Sequence, residues 1–497
     1  MVLAAACGKD DITYVDASQF DNIDNITFDR TVNVTFLSSG ATVDYSASDF
    51  TYDIDGAGVT ITNNSSEKIY YRLSGSTTDG YFKVYSSTPQ AIELNGVNIA
   101  NPSGAAINVQ GPTEHPGRGC RAYMVLSGSN SVADGSTYST PSDEDEKGAI
   151  FAEGILSFSG NGSLTVTAIG KSGIASDTYV HMMGGTVTVN CSTAVSVSSS
   201  DTLKPACVKS QDSFIMTSGT LTVTASGTGA KGISGDGTAI FRGGSVNVTV
   251  TGSNYGSSSS GGGPGPGRSN NSSSSSVAAK GIKFDGNITI SGGSLTVSAA
   301  SHEGIESKGT ISITGGEVYC YSAADDAINS ASDFTIDGGF VYAYAPENDG
   351  LDANGDFYVN GGVVYAIGAS SPEVAIDANT EESKTLYING GTLIAIGGLE
   401  SGAELKQSCY QASSWTANTN YTLTVGSTTY SFTTPASGGT GMVVSGASTP
   451  SLSKGTTVSG GISYANGAIV VGGTVSGGTT QSLSSYSGGN GGNGPGH

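Results

Sequence analysis

The sequence predicts an all-β protein whose main body is a right-handed, single-stranded parallel β-helix, a solenoid of about 23 residues per coil with capping strands at both ends. Three observations predict it: a composition hostile to helices, a period-2 alternation within short segments, and a longer repeat that returns the same residue types every 23 positions.

The composition sets the class. The chain has 497 residues, with 75 Gly, 13 Pro and one Trp, and is rich in Ser, Thr, Val and Asn. Such usage disfavours helices and suits short strands joined by turns. Against 20 Lys and Arg stand 42 Asp and Glu, a net charge of −22. That surface repels phosphate backbones and anionic headgroups, so nucleic acid is not an expected partner. Acidic polysaccharide stays open, because divalent cations can bridge two sets of carboxylates.

The repeat is legible in its Gly-Gly pairs. The segments SGGSLTVSAASHEGIESKGTISI, TGGEVYCYSAADDAINSASDFTI, DGGFVYAYAPENDGLDANGDFYV and NGGVVYAIGASSPEVAIDANTEESKTLYI follow one another, and the second glycine falls at Gly293, Gly316, Gly339 and Gly362. A second marker is an apolar residue at Ile150, Ile174, Val208, Ile233, Ile282, Ile305, Ile328, Leu351 and Ile376, with intervals of 24, 34, 25, 49, 23, 23, 23 and 25. Ile107 marks an earlier coil. The interval of 49 is one ordinary turn plus a Gly/Ser-rich insertion near residues 253–276, expected to be flexible. Within a unit, Leu295-Thr296-Val297 alternates with period 2, while Leu295, Val318, Val341 and Val364 form one inward column across units. Stacking like strands about 4.8 Å apart buries that column and pairs each backbone amide with the next coil. An antiparallel sandwich would not require a fixed interval. Right-handed winding is the usual hand of parallel crossovers.

The flanks give the domain limits. Residues 1–20 read as a lipoprotein signal remnant and linker, in which a short apolar run ends at Cys7 and charge follows at once. Cys7 is the expected lipidation site, which places the protein at the outer membrane or cell surface, touching the membrane only through that anchor. Residues 21–405 form the β-helix with its N-terminal cap, 406–483 a C-terminal β cap, and 484–497 a Gly/Asn-rich tail expected to be disordered. The chain is expected to be monomeric. The remaining cysteines, Cys120, Cys191, Cys207, Cys320 and Cys409, have no C-x-x-C spacing and read as structural.

Columns of chemistry follow from the period. Glu303, Asp326 and Asp349 share one phase, preceded by Lys280 and, across the insertion, by Lys231. Glu306, Asn329 and Asp352 share a second, continued by Asp377. Both columns border the buried marker and face outward at one corner. Carboxylates about 4.8 Å apart repel by roughly 1 kcal/mol per pair in water and by roughly 3 to 4 kcal/mol near a protein surface. Calcium would answer that repulsion, as would solvent alone. Tyr319, Tyr342 and Tyr365 stack at steps of 23, with Tyr321 and Tyr344 beside them; such columns either bind sugar rings or only stiffen the sheet. Nothing supports zinc or serine-nucleophile chemistry. One enzymatic alternative has a mechanism: β-elimination of an acidic polysaccharide, with calcium neutralising the uronate and Lys280 or Lys231 as base.

The words NGVNI, AAINVQ, GAIFAEG, SGNGSLTV, KGIKFDGNITISGG and EGIESKGTISITGG, in that order between Asn95 and Gly316, resemble a family of bacterial carbohydrate-binding β-helix proteins similar to the calcium-dependent pectate lyases. The resemblance spans about Tyr70 to Gly398. It implies a right-handed parallel β-helix, bound Ca2+ and a plant-type, possibly acidic polysaccharide as partner, with Glu303, Asp326, Asp349 and Asp352 as carried-over calcium ligands. The expected function is calcium-assisted polysaccharide binding at the cell surface. A polysaccharide lyase and a structural adhesin or spacer are the alternatives.

Overall fold

The computed structural model describes residues 22–111, 121–139, 144–198, 202–256 and 276–488. Among them the chain is all β, with only two short 3-10 turns, Ile23–Asn25 and Thr380–Glu382. Cys7, Cys120 and residues 257–275 of the insertion lie outside the described residues, as do residues 1–20. The insertion leaves and rejoins the body at one place, where Tyr255 and Val277 bridge.

From Phe82 onward each coil contributes short strands that pair in parallel with the equivalent strands of the next coil. One sheet carries the apolar marker: Ile107, Ile150, Ile174, Val208, Ile233, Ile282, Ile305, Ile328 and Leu351 are successive register partners, and Ile376 and Leu399 continue the line through isolated bridges. A second sheet runs through Ile288–Ile290, Ile311–Ile313, Phe334–Ile336, Phe357–Val359 and Leu386–Ile388. A third runs through Ser294–Ala299, Glu317–Ser322, Phe340–Tyr344, Val363–Ile367 and Thr392–Ile396.

All three sheets turn alternate side chains into one continuous core. Leu295, Val318, Val341 and Val364 lie in register and are buried. Phe334 and Phe357 stack inside with ring centroids 4.5 Å apart. The second Gly of each Gly-Gly pair makes the turn between the second and third sheets at positive φ, from 76° to 84° at Gly293, Gly316, Gly339 and Gly362. A Cβ at Gly316 would come within 3.0 Å of the backbone of the coil before it, so both the torsion and the close approach require glycine there.

The two ends differ in construction. At the N-terminal end the hairpins Arg30–Leu37/Gly40–Val43 and Phe50–Asp55/Gly58–Asn63 are antiparallel. At the other end the last parallel pairing joins Tyr387 and Ile388 to Glu404 and Leu405. Beyond it Met442–Ser445 runs antiparallel to Thr392–Ile396 and to Cys409–Ala412. A separate six-stranded antiparallel sheet, from Asn420 to Gln481, lies over the third sheet of the coils: Tyr342, Tyr365, Ile367, Ile394 and Ile396 share one core with Tyr421, Leu423, Phe432 and Ile469. The tail expected to be disordered from 484 begins instead with a strand, Ser484–Tyr486, paired to Cys409–Gln411. Backbone pairing orders Ser484–Tyr486, and residues 489–497 of that Gly/Asn-rich tail lie outside the described residues.

Candidate cation and carbohydrate site

The outer face of the marker sheet carries both acid columns, and the structure divides them into two parts. Register sets Glu306, Asn329 and Asp352 on neighbouring coils, with Asp377 following Ile376. Glu303, Asp326 and Asp349 line the turn just before the same strands.

In the first part the carboxylates are already neutralised. Lys280 lies 3.0 Å from Glu303 and 2.6 Å from Glu306, and all three are buried. Lys308 also pairs with Glu306. Burial alone would raise the Glu306 carboxyl, but the two ammonium groups outweigh it and hold the carboxyl below its ordinary range. His302 bridges Glu303 and Asp325, with Asp325 Oδ2 at 2.6 Å from Nδ1. Burial opposes charge on this imidazole, yet the two carboxylates prevail and raise it to about 9. Glu306, predicted as a metal ligand, thus holds two ammonium groups, while Glu303, predicted likewise, converges with His302 and Asp325, whose ligand atoms lie within 4.8 Å of one another.

The second part has no such partner. Asp349, Asp352 and Asp377 present oxygens within 4.8 Å of one another, and no ion pair reaches them among the described residues. They open into a cleft of about 500 Å³ that Asp326, Asn348, Asn354, Glu373 and Asn379 also line. Burial and mutual repulsion push Asp349 up to about 9 and Asp326 up to about 8. Asp377 rises to about 10, through burial and a shared hydrogen bond with Glu400. Asp352 rises less, to about 6, because burial is partly offset by its hydrogen bond to Asp377. Asn329 clips the columns together, donating to Asp326 at 2.9 Å and to Asp352 at 2.6 Å. Backbone N–H groups of Asp349 and Val374 donate to Asp326 and Asp349 at 3.2 and 2.6 Å. The donor set is all oxygen and dense in carboxyl groups that a cation would let ionise together, which fits a hard divalent cation.

Glu400 belongs to this group and escaped the sequence reading. The signal was present: Leu399 lies 23 residues after Ile376 and bridges to it, so Glu400 repeats the phase of Asp377.

Two of the five tyrosines expected to bind sugar are covered. Tyr342 and Tyr365 are 9% and 0% exposed, covered by the six-stranded sheet, and Tyr365 Oη donates to the Thr433 carbonyl at 3.0 Å. They are closed to a sugar ring. Tyr344 is half-buried and donates to the Ser437 carbonyl at 3.1 Å. Tyr319 and Tyr321 are half-buried, and Tyr319 stacks on Tyr342 at 4.8 Å with planes 12° apart, so one of its faces is already occupied. The outward side of this sheet is apolar, and Val363–Ile367 and Thr392–Ile396 are buried throughout, as strands covered on both faces are.

Of the two lysines considered as bases, Lys280 is tied to two carboxylates. Lys231 makes no ion pair among the described residues; burial and the ammonium groups of Lys280, Lys283, Lys204 and Lys209 push it down to about 8. It lies four coil steps from Asp349, about 19 Å at the spacing of hydrogen-bonded strands.

Stacked parallel coils with a charged, cleft-bearing outer face define a class of repetitive scaffold suited to long ligands. Within it, the chain belongs to the family described as carbohydrate-binding domain-containing protein, which matches residues 55–327 and 293–488. No curated protein matches the chain. It is similar to a solved structure described as the polysaccharide lyase-like protein from C. thermocellum, gadolinium derivative, at 16% identity and a TM-score of 0.38, covering 63% of this chain and 100% of the other.

Proposed function

We propose that the protein binds polysaccharide with the assistance of calcium held at Asp349, Asp352 and Asp377, with Glu400 and Asp326 adjoining. Membership of a carbohydrate-binding family supports the polysaccharide. The observation that carries the calcium reading is the convergence of three carboxylates in an open cleft with no protein cation beside them among the described residues. A bound divalent cation would relieve their repulsion and leave coordination positions for sugar hydroxyls or carboxylates. The ligand would be plant-type and extended, lying along right-handed coils. Cys7 would carry the lipid anchor of a monomer at the cell surface.

Binding, rather than elimination, is the reading the geometry favours. A β-eliminating site needs its base and its cation at one sugar ring, whereas Lys231 is about 19 Å from the acid cleft and Lys280 is engaged by Glu303 and Glu306.

The test is retention of the full chain on a panel of immobilised glycans with calcium and with chelator. Wild type is expected to hold at least one polysaccharide only with calcium. Asp349→Asn with Asp352→Asn should weaken calcium by about 100-fold, since charge count sets affinity in such sites, and should abolish the calcium-dependent retention. Retention that ignores both chelator and substitution would sink the calcium reading. Absence of any retention would sink the glycan reading as well.

A further inference from the structure

The same sheet face that ends in the acid cleft carries, several coils earlier, a concentration of positive charge that the cation reading does not use. Lys204, Lys209, Lys231, Lys280 and Lys283 are five of the 14 lysines in a chain of net charge −22, and the other four all act electrostatically on Lys231. The ladder explains their closeness. Lys209, Ser234 and Lys283 are successive register partners on the outer face, and Lys280 follows Lys231 by one coil at the same phase.

Two of the five are neutralised within the protein, Lys280 by Glu303 and Glu306 and Lys283 by Asp285. Lys204, Lys209 and Lys231 make no ion pair among the described residues, and Lys209 donates only to the Lys204 carbonyl, at 3.2 Å. Asp236 and Asp177 act on Lys209 from a distance, and the charged groups that act most strongly on Lys231 are the four other lysines. Ammonium groups on adjoining rungs repel one another, and partial burial of Lys231 and Lys209 removes solvent that would screen them. An anion seated between them would reverse that penalty.

We propose that Lys231, Lys209 and Lys204 form an anion subsite that takes the carboxylates of an acidic polysaccharide whose chain runs along the coil axis toward the Asp349 cleft. This rests on the glycan reading above and adds to it the residues that would hold the ligand's carboxylates. A uronic acid polymer matches the face at both ends: its carboxylates pair with lysine at one and share a divalent cation with aspartate at the other. The internally neutralised Lys280, Glu303 and Glu306 lie between the two.

The experiment compares the full chain's affinity for a polyuronate and for the same polymer with its carboxylates reduced to alcohols, at fixed calcium, by titration calorimetry. The polyuronate is expected to bind at least tenfold more tightly, with an advantage that shrinks as salt rises. Lys231→Met with Lys209→Met should close that gap, and Lys231→Arg should keep it. Lys204→Glu, at an exposed position outside the core, should narrow the gap with no change in thermal unfolding, which separates a charge effect from a folding defect. Equal affinity for the two polymers with calcium dependence intact would overturn the lysine subsite and leave the glycan reading standing. A gap that survives the lysine substitutions would overturn it also. If neither polymer nor any glycan of the panel binds wild type, both proposals fall together. Tight binding of a sulfated polymer in place of the polyuronate would overturn the carboxylate assignment.

Discussion

The two halves of the acid columns stand at the same phase of one repeat, in similar backbone, and do opposite things. Around Glu303 and Glu306 the preceding rung supplies Lys280 and their own rung supplies His302 and Lys308, and the negative charge is closed off inside the protein. Around Asp349, Asp352 and Asp377 the neighbouring rungs supply only more carboxylate, Asn329 and Glu400, and the charge stays open. The role of a carboxylate in this stacked fold is therefore set by the partners that its own rung and the adjoining rungs supply.

The sharpest way to break this comparison is pH. Without a cation, the carboxyls of Asp349 and Asp377 stand at about 9 and about 10, far above the 3.8 of an unfolded aspartate. The folded chain then keeps protons that the unfolded chain has released. The stability these protons contribute is complete below the unfolded value and drains away as pH rises through the folded values, at on the order of 1 kcal/mol per pH unit for each such proton. In chelator, chemical denaturation between pH 5 and 8 is expected to show stability falling by several kcal/mol, and calcium is expected to restore it by displacing the protons. A stability that rises with pH in chelator would mean that the cleft carboxylates are solvated and independent.

The next effect in size converts the closed half into the open one. Lys280→Ala leaves Glu303 and Glu306 buried with a partner removed, a change that costs about 3 to 5 kcal/mol in buried ion pairs. The loss should be measured in chelator, and millimolar calcium should recover part of it by filling the ammonium's place. A variant as stable as wild type in chelator would show that Lys280 does not hold the closed half together.

What could be read from the sequence follows the same division. The coil phase was legible because a solenoid turns a linear interval into a vertical contact: Ile282, Ile305, Ile328 and Leu351 stack where their spacing of 23 put them. Relations outside the period were not legible. Tyr365 is covered through Thr433, 68 residues away in a segment that has lost the rhythm, so an outward tyrosine gave no sign of its cover. Only the apolar runs at Val363–Ile367 and Thr392–Ile396 hinted that both faces of that sheet are buried. Glu400 was hidden differently, because the 25-residue step to Ile376 obscured the return to an interval of 23 at Leu399.

The smallest effect concerns His302, which sits at the boundary of the two halves. Its imidazole stands at about 9 in the fold, above the 6.5 of an unfolded histidine, because Asp325 and Glu303 outweigh the burial that opposes its charge. A histidine raised in this way contributes stability that is fully present below pH 6.5 and is lost as pH climbs through 9. With the side chain partly open to solvent, that contribution is expected to be on the order of 1 kcal/mol. His302→Gln should therefore lower stability by about that amount at pH 6 and by almost nothing at pH 10, measured in calcium so that the aspartate cleft is silent. An equal loss at both pH values would assign His302 a packing role, and the boundary between closed and open carboxylates would then move back to Lys280 alone.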